Sequence, residues 1–204
     1  MILVLTCAQI KKLESIRGVS FDARDHEGFN VAIWASKKQQ VQVLRYLIDH
    51  HADSLNATDL NGTTVLGFAF IDMNKRSLHT IHTLLDSELM DLEQKENDGI
   101  TTFFRAVRSD NIQAARALVD REANVNAINP INGMTPLHYA AGFGKSPEMV
   151  RYLVEEAGAN LNIRAADGMT PLEFAKTREE TPQSSKDIKY EIIRELEKTT
   201  MRNE

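Results

Sequence analysis

A chain of 204 residues with a formal net charge of −5 lacks the basic footprint that nucleic-acid binding needs. Its 42% hydrophobic and 26% charged residues are ordinary for a globular protein, and no apolar run is long enough to span a bilayer. The one cysteine, Cys7, excludes an internal disulfide and a cysteine-based zinc site.

The opening MILVLTC is apolar but too short for a secretory signal, and it has no basic start. A cytoplasmic or otherwise intracellular location is expected, with secretion or delivery into a host left open. Within residues 1–24, Ile10, Leu13 and Ile16 share a helical face. They predict the second helix of a partial unit, and only residues 1–6 remain for its first helix.

From there a pattern recurs. GFNVAIWA starts at Gly28, GTTVLGFA at Gly62, GITTFFRA at Gly99, GMTPLHYA at Gly133 and GMTPLEFA at Gly168, at intervals of 34, 37, 34 and 35 residues. Thr or Asn stands two positions after each glycine. Alanine stands seven after it, at Ala35, Ala69, Ala106, Ala140 and Ala175. A period in this range predicts a stacked array of helix-turn-helix units. The units are 25–58, 59–95, 96–129 and 130–164, followed by a capping unit over 165–198, all in one domain spanning 1–204.

One unit follows from local chemistry. Gly133 suits a tight turn with positive φ, Thr135 is an N-cap, and Pro136 fits the first helical position, where no N–H is needed. A helix is predicted from Pro136 to Ala141, with Gly142 and Gly144 supplying positive φ to the turn that follows. Thr170 and Glu173 have capping-box spacing. Second helices carry apolar faces, such as Ile112, Ala115, Leu118 and Val119, then Met149, Val150, Leu153 and Val154. Extended ANVN (123–126) and ANLN (159–162) stretches lead to the next turns. The polar stretch REETPQSSKD (178–187) predicts a mobile loop, after which Ile188, Ile192 and Leu196 mark one face of a terminal helix.

TPLHYAA (135–141), VRYLVEEAGANLN (150–162) and TPLEFA (170–175) resemble the ankyrin repeat. The resemblance covers residues 20–198 and is strongest in the last two units. It implies an all-α ankyrin-repeat solenoid whose helix-turn-helix units are joined by β-turn loops. It also implies that His138 and the adjacent Thr tie neighbouring turns together by hydrogen bonds. NVAIWA and TTFFRA lack the proline and the histidine, so those interfaces are expected to be less regular. In eukaryotic members of the family an asparagine placed like Asn126 can be hydroxylated.

Catalytic, cofactor and metal sites are not expected. GFGKS (142–146) imitates a phosphate loop, but that motif needs a glycine where Tyr139 stands and a strand where a helix is predicted. His79 and His82, three apart on a helix, lack further ligands. His50 and His51 suit a helix end. Asp22, Asp25, Asp59, Asp98 and Asp167 fall in turns, where Asp bonds its own backbone. NAT (56–58) and NGT (61–63) match a glycosylation pattern and are read as turn residues. Six residues after each glycine stand Trp34, Phe68, Arg105, Tyr139 and Phe174, read as a packed column that Arg105 interrupts, its head reaching solvent or a partner.

The resemblance places partner contacts beside each turn glycine and at the end of each first helix, on a concave face. The expected protein-binding residues are Phe29, Lys37, Ile100, Arg105, Arg108, Ile131, Met134, Phe143, Met169 and Arg178. The function expected is a non-catalytic protein-binding module: an adaptor, an effector, or an inhibitor that blocks a partner enzyme. The alternative is the targeting portion of a larger or unrecognised enzyme. No cofactor, no nucleic acid and no membrane partner is expected, and the chain alone is expected to be a monomer.

Overall fold

The computed structural model describes residues 12, 20–70, 75–144, 146–177 and 183–202. Cys7, Ile10, Leu13, Ile16 and Arg178 lie outside them. The chain forms two compact units, Met1–Asn97 and Asp98–Glu204.

In the first unit the described helices are α1 (Val31–Lys37), α2 (Val41–His50), α3 (Val65–Phe68) and α4 (Lys75–Asp86), with a 3-10 turn at Ala52–Asn56. Helix α1 packs on α2 and α3, and α2 packs on α4. Ile33, Leu44, Leu47, Leu66, Ile81 and Leu84 form the core. In the second unit lie α5 (Thr102–Arg108), α6 (Ile112–Val119), α7 (Pro136–Phe143), α8 (Pro147–Glu155), α9 (Pro171–Thr177) and α10 (Gln183–Arg202). Helix α7 contacts α5, α8 and α9, and α10 closes the end against α8 and α9. The core there holds Phe103, Leu118, Leu137, Met149, Leu153, Ile192 and Leu196. The architecture is all-α, and among the described residues the one isolated extended bridge joins Thr58 to Thr64.

The Thr/Asn column works as a set of N-caps. Asn30, Thr64, Thr101 and Thr135 each accept a hydrogen bond from the backbone N–H three residues on. Thr170 does the same for Glu173, whose carboxylate accepts from the Thr170 N–H at 2.8 Å, completing the expected capping box. In α7 the returning partner is His138.

The predicted turn after Pro136–Ala141 differs. Helix α7 continues through Gly142 to Phe143, and Gly144 sits at φ −60°, ψ 150°; neither glycine has positive φ. Pro147 opens the next helix and holds Ser146 extended, at φ −138° and ψ 142°. The connection is three residues long, as in the repeats where Gln39 and Asp110 adopt φ of 55° and 58°, and the extra residue of this repeat lies in α7, which has eight residues against seven in α1 and α5. The loop expected over 178–187 is also shorter, because α10 already begins at Gln183. The residues from Gln183 to Asp187 include no helix breaker, so the helix extends back to them.

Arg116 and Arg151, on the second helices α6 and α8, reach across to neighbouring elements. Arg116 makes two bonds to Glu156, one at 2.7 Å, and its guanidinium lies 4.7 Å from the centre of the Tyr152 ring. Arg151 reaches Glu195 at 3.4 Å.

The last two repeats carry the reciprocal capping boxes, Thr135–His138 and Thr170–Glu173. Amide exchange should accordingly be slower in α7, α8 and α9 than in α1, α2 and α3. Uniform protection, or the reverse order, would show that cap quality does not set local stability here.

Candidate functional site

The turn tips and first helices are built by short-range bonds. In the first unit Asp25 Oδ1 accepts from the N–H groups of Glu27 and Phe29, both at 2.9 Å. Its Oδ2 accepts from the Trp34 indole at 2.8 Å. Burial acts to raise the Asp25 carboxyl, but the bonds from Phe29, Trp34 and Glu27 outweigh it and hold the group below its ordinary value. Asp59 closes the next turn in the same way, accepting from Asn61 and Thr63. In the second unit Asp98 Oδ1 takes the Ile100 N–H and Asp167 Oδ1 takes the Met169 N–H. The turn-former expectation for these four aspartates agrees with the structure.

Successive turns are linked within each unit. The Leu60 N–H donates to the Glu27 carbonyl and the Asn97 N–H to the Asn61 carbonyl. Asn129 Nδ2 donates to the Asp98 carbonyl at 3.0 Å, and the Ala166 N–H to the Asn132 carbonyl at 3.0 Å. Asn126 Oδ1 accepts from the Asn160 N–H at 2.8 Å.

His138 adds a further, buried link. The Thr135 N–H donates to its Nδ1 at 3.2 Å, so Nδ1 is the acceptor nitrogen. The Nε2–H then donates to the Met169 carbonyl at 3.0 Å, across to the next turn. Burial pushes the imidazole pKa below its ordinary value, although the Met169 bond and the Asp167 charge pull the other way. The ring is held neutral in one tautomer.

The expected contact residues divide. Phe29 and Ile100 are buried rather than presented at the tips. Phe29 lies edge-to-face on Trp34 and Phe68, with ring centres 5.1 and 5.0 Å apart. Met134 and Met169 are half-buried. Ile131 is 69% exposed and Phe143 52% exposed. Lys37 pairs with Glu27 at 3.9 Å and Arg108 with Asp98 at 3.1 Å. Arg105 is half-buried.

The column six residues after each glycine is less buried than the packed reading required. Only Phe68 is fully buried; Trp34, Tyr139 and Phe174 are half-buried. The rings pack on one another: Phe104 on Tyr139, Tyr139 on Phe143, and Phe143 on Phe174, at 5.7, 5.3 and 5.4 Å between centres. The sequence reading also passed over Ile128, which is 48% exposed at the start of the Gly133 turn. An apolar residue just before Asn129-Pro130, ahead of the tip, was the available signal.

Histidines expected to be solvated or capping are placed so. His79 and His82 are exposed on α4, and His50 Nδ1 lies 3.0 Å from the Tyr46 carbonyl at the end of α2. Among the described residues no group of three or more His, Cys, Asp or Glu is arranged to hold a metal. No described helix is long and apolar enough to cross a membrane.

Glycine turns at a regular period, N-capped helix pairs and bonded tips define a helical-repeat binding scaffold. The family model for ankyrin repeats (three copies) matches residues 73–165 and 103–181, and the chain belongs to the ankyrin repeat family. It is 32% identical over 146 residues to human Rabankyrin-5, a match covering 71% of this chain and 12% of that protein. It is 26% identical over 135 residues to the palmitoyltransferase AKR1 of Lachancea kluyveri, covering 66% and 18% of the two chains. The chain thus spans under a fifth of the length of these relatives. Among solved structures, the ankyrin repeat domain of Bcl-3, a member of the IkappaB protein family, aligns with a TM-score of 0.79 at 25% identity, covering 94% of this chain and 80% of that one. Ankyrin repeats are in general protein–protein interaction modules and imply protein partners.

Proposed function

We propose that this chain is a non-catalytic module that holds a partner protein against its turn tips and first helices. Adaptors, effectors and inhibitors that block a partner enzyme share this requirement for a rigid face with apolar anchors. The observation that carries the reading is the exposure of Ile131 and Phe143, at 69% and 52%, on a bonded turn and at the end of a first helix. Solvated loops have no folding reason to place large apolar groups there, and aromatic anchors are enriched in interfaces. Met134, Met169 and the head of Arg105 join these anchors in the proposal. Binding takes place in an intracellular compartment, with the chain itself a monomer.

Ile131→Asp combined with Phe143→Asp should abolish capture of the partner in cross-linking pull-downs. Loss of a central anchor typically costs about 2 kcal/mol or more. The melting temperature should fall by only a few degrees, because exposed substitutions change stability by about 0.5 kcal/mol each. Gln113→Asp with Tyr190→Asp, on exposed positions of α6 and α10, adds the same charge and should leave capture intact. Native capture by the tip variant would overturn the reading, and so would equal loss in the control.

A second reading makes the chain the targeting portion of a larger enzyme. Its support is that the palmitoyltransferase match is confined to the repeats and covers 18% of that protein. Sequencing the coding region on both sides of these residues decides it: a catalytic domain there supports this reading, and its absence removes it.

A further inference from the structure

We propose that Phe29, Trp34 and Phe68 form a cage for an alkylated ammonium group, filled at rest by the chain's own Lys37 and entered by an N-methylated lysine of a partner polypeptide that displaces Lys37. The proposal rests on the protein-binding reading above and gives that partner a chemistry.

Three rings from three parts of the first unit converge on one cation. Phe29 comes from the turn, Trp34 from α1 and Phe68 from α3. The Lys37 ammonium lies 4.4, 5.2 and 5.7 Å from their centres. All three distances fall within the range in which a ring face attracts a cation. The rings are fixed before any ligand arrives. Phe29 meets Trp34 at 74° and Phe68 at 71°, and the Trp34 indole is pinned by Asp25 at 2.8 Å. Glu27 supplies a carboxylate 3.9 Å from the cation. The site is therefore built for positive charge, and its charge is supplied in cis.

Lys37 is a replaceable occupant. It stands at the end of α1, its side chain is 32% exposed, and its ion pair with Glu27 is long. Such exposed pairs are weak. A primary ammonium is also strongly hydrated, so the rings hold it against the pull of water. Methylation keeps the charge and replaces N–H groups with methyls that touch the ring faces, which shifts the competition towards the incoming group. A lysine from a partner has no such advantage over Lys37.

Trp34 is the one tryptophan in the chain, so its fluorescence reports the cage directly in the full-length protein. The probes are a short capped peptide carrying trimethyllysine, the same peptide carrying lysine, and choline. The trimethyllysine peptide should give a saturable change, with about ten-fold tighter binding to Lys37→Ala than to the unaltered chain. The lysine peptide and choline should each bind at least about ten-fold more weakly than the trimethyllysine peptide. Phe68→Leu should weaken the trimethyllysine response. Lys37→Gln, which keeps most of the stem over the rings, replaces Lys37→Ala if the latter lowers the melting temperature by more than a few degrees. Absence of a saturable response in the folded Lys37 variant overturns the proposal. So does equal binding of the lysine and trimethyllysine peptides. Equal binding of choline overturns the polypeptide source. Ile131 and Phe143 belong to the other compact unit, so their variant still tests partner capture if the cage fails.

Discussion

Gly133→Ala is expected to destabilise the chain by about 2 kcal/mol or more, a larger effect than the same change at Gly142 or Gly168. Two costs combine. Gly133 has φ of +71°, where an L side chain is strained. A Cβ there would also meet the Ala166 backbone nitrogen at 2.5 Å and the Ala165 carbonyl carbon at 3.0 Å. Those atoms belong to the next turn, whose Ala166 N–H donates to the Asn132 carbonyl. Relief of the clash therefore breaks the link between turns. Gly168→Ala separates the terms, since Gly168 has φ of +81° but open space around it; it should cost about 1 kcal/mol from strain alone. At Gly142, inside α7, the three atoms nearest an added methyl all belong to the Phe174 ring. That half-buried ring can turn aside, so Gly142→Ala should cost about 1 kcal/mol. Urea midpoints of the three variants rank the terms. Equal midpoints for Gly133→Ala and Gly168→Ala would mean that the turn–turn approach contributes nothing.

What was legible in the sequence was what short-range chemistry decides. The turn glycines, the Thr and Asn caps and the Thr170–Glu173 box each depend on residues within four positions, and the structure has them all. The end of α7 was misjudged because glycine is also the usual residue after a helix. Pro147 and the pre-proline Ser146 moved the break two residues later than Ala141, and that placed Phe143 at the exposed helix end.

The tips were harder for a three-dimensional reason. Reading every residue beside a turn glycine as exposed ignores which way the turn folds the next side chain. Asp25 draws in the Phe29 N–H, and Phe29 comes to rest on Phe68, a residue 39 positions away. In the Gly133 turn, Asn129 Oδ1 accepts from the Ile131 N–H at 2.8 Å and the Asn129 N–H reaches the Met134 carbonyl, a longer loop that leaves Ile131 outside. The same limit hid the Lys37 cage. Phe29, Trp34 and Lys37 are visible as five- and eight-residue offsets from the tip, but Phe68 joins them only when the next repeat is stacked in place.

Acid should weaken the second unit through His138, and the direction follows from which state binds the proton. Burial lowers the folded-state pKa of His138 below the value near 6.5 of the free side chain. Above about pH 6.5 the ring is neutral in both states and its contribution to stability is fully present. Between the two pKa values the unfolded chain binds a proton that the folded chain refuses, so stability falls as pH drops through that window. Below the folded pKa the loss is complete. Protonation would set an N–H at Nδ1 against the Thr135 N–H that donates there, and the fully buried ring has no water to take up the charge. His138→Leu keeps much of the volume but leaves the Met169 carbonyl and the Thr135 N–H without their partner. Each buried unsatisfied group costs about 1–3 kcal/mol, so the variant should lose about 2 kcal/mol or more at pH 7.5. It should also lose the His138 component of the acid dependence, so that its stability deficit narrows between pH 7 and pH 5. Urea unfolding at a series of pH values measures both. A deficit that stays constant over that range would mean that His138 titrates alike in the folded and unfolded states, and that its bonds across the turn do not fix its protonation.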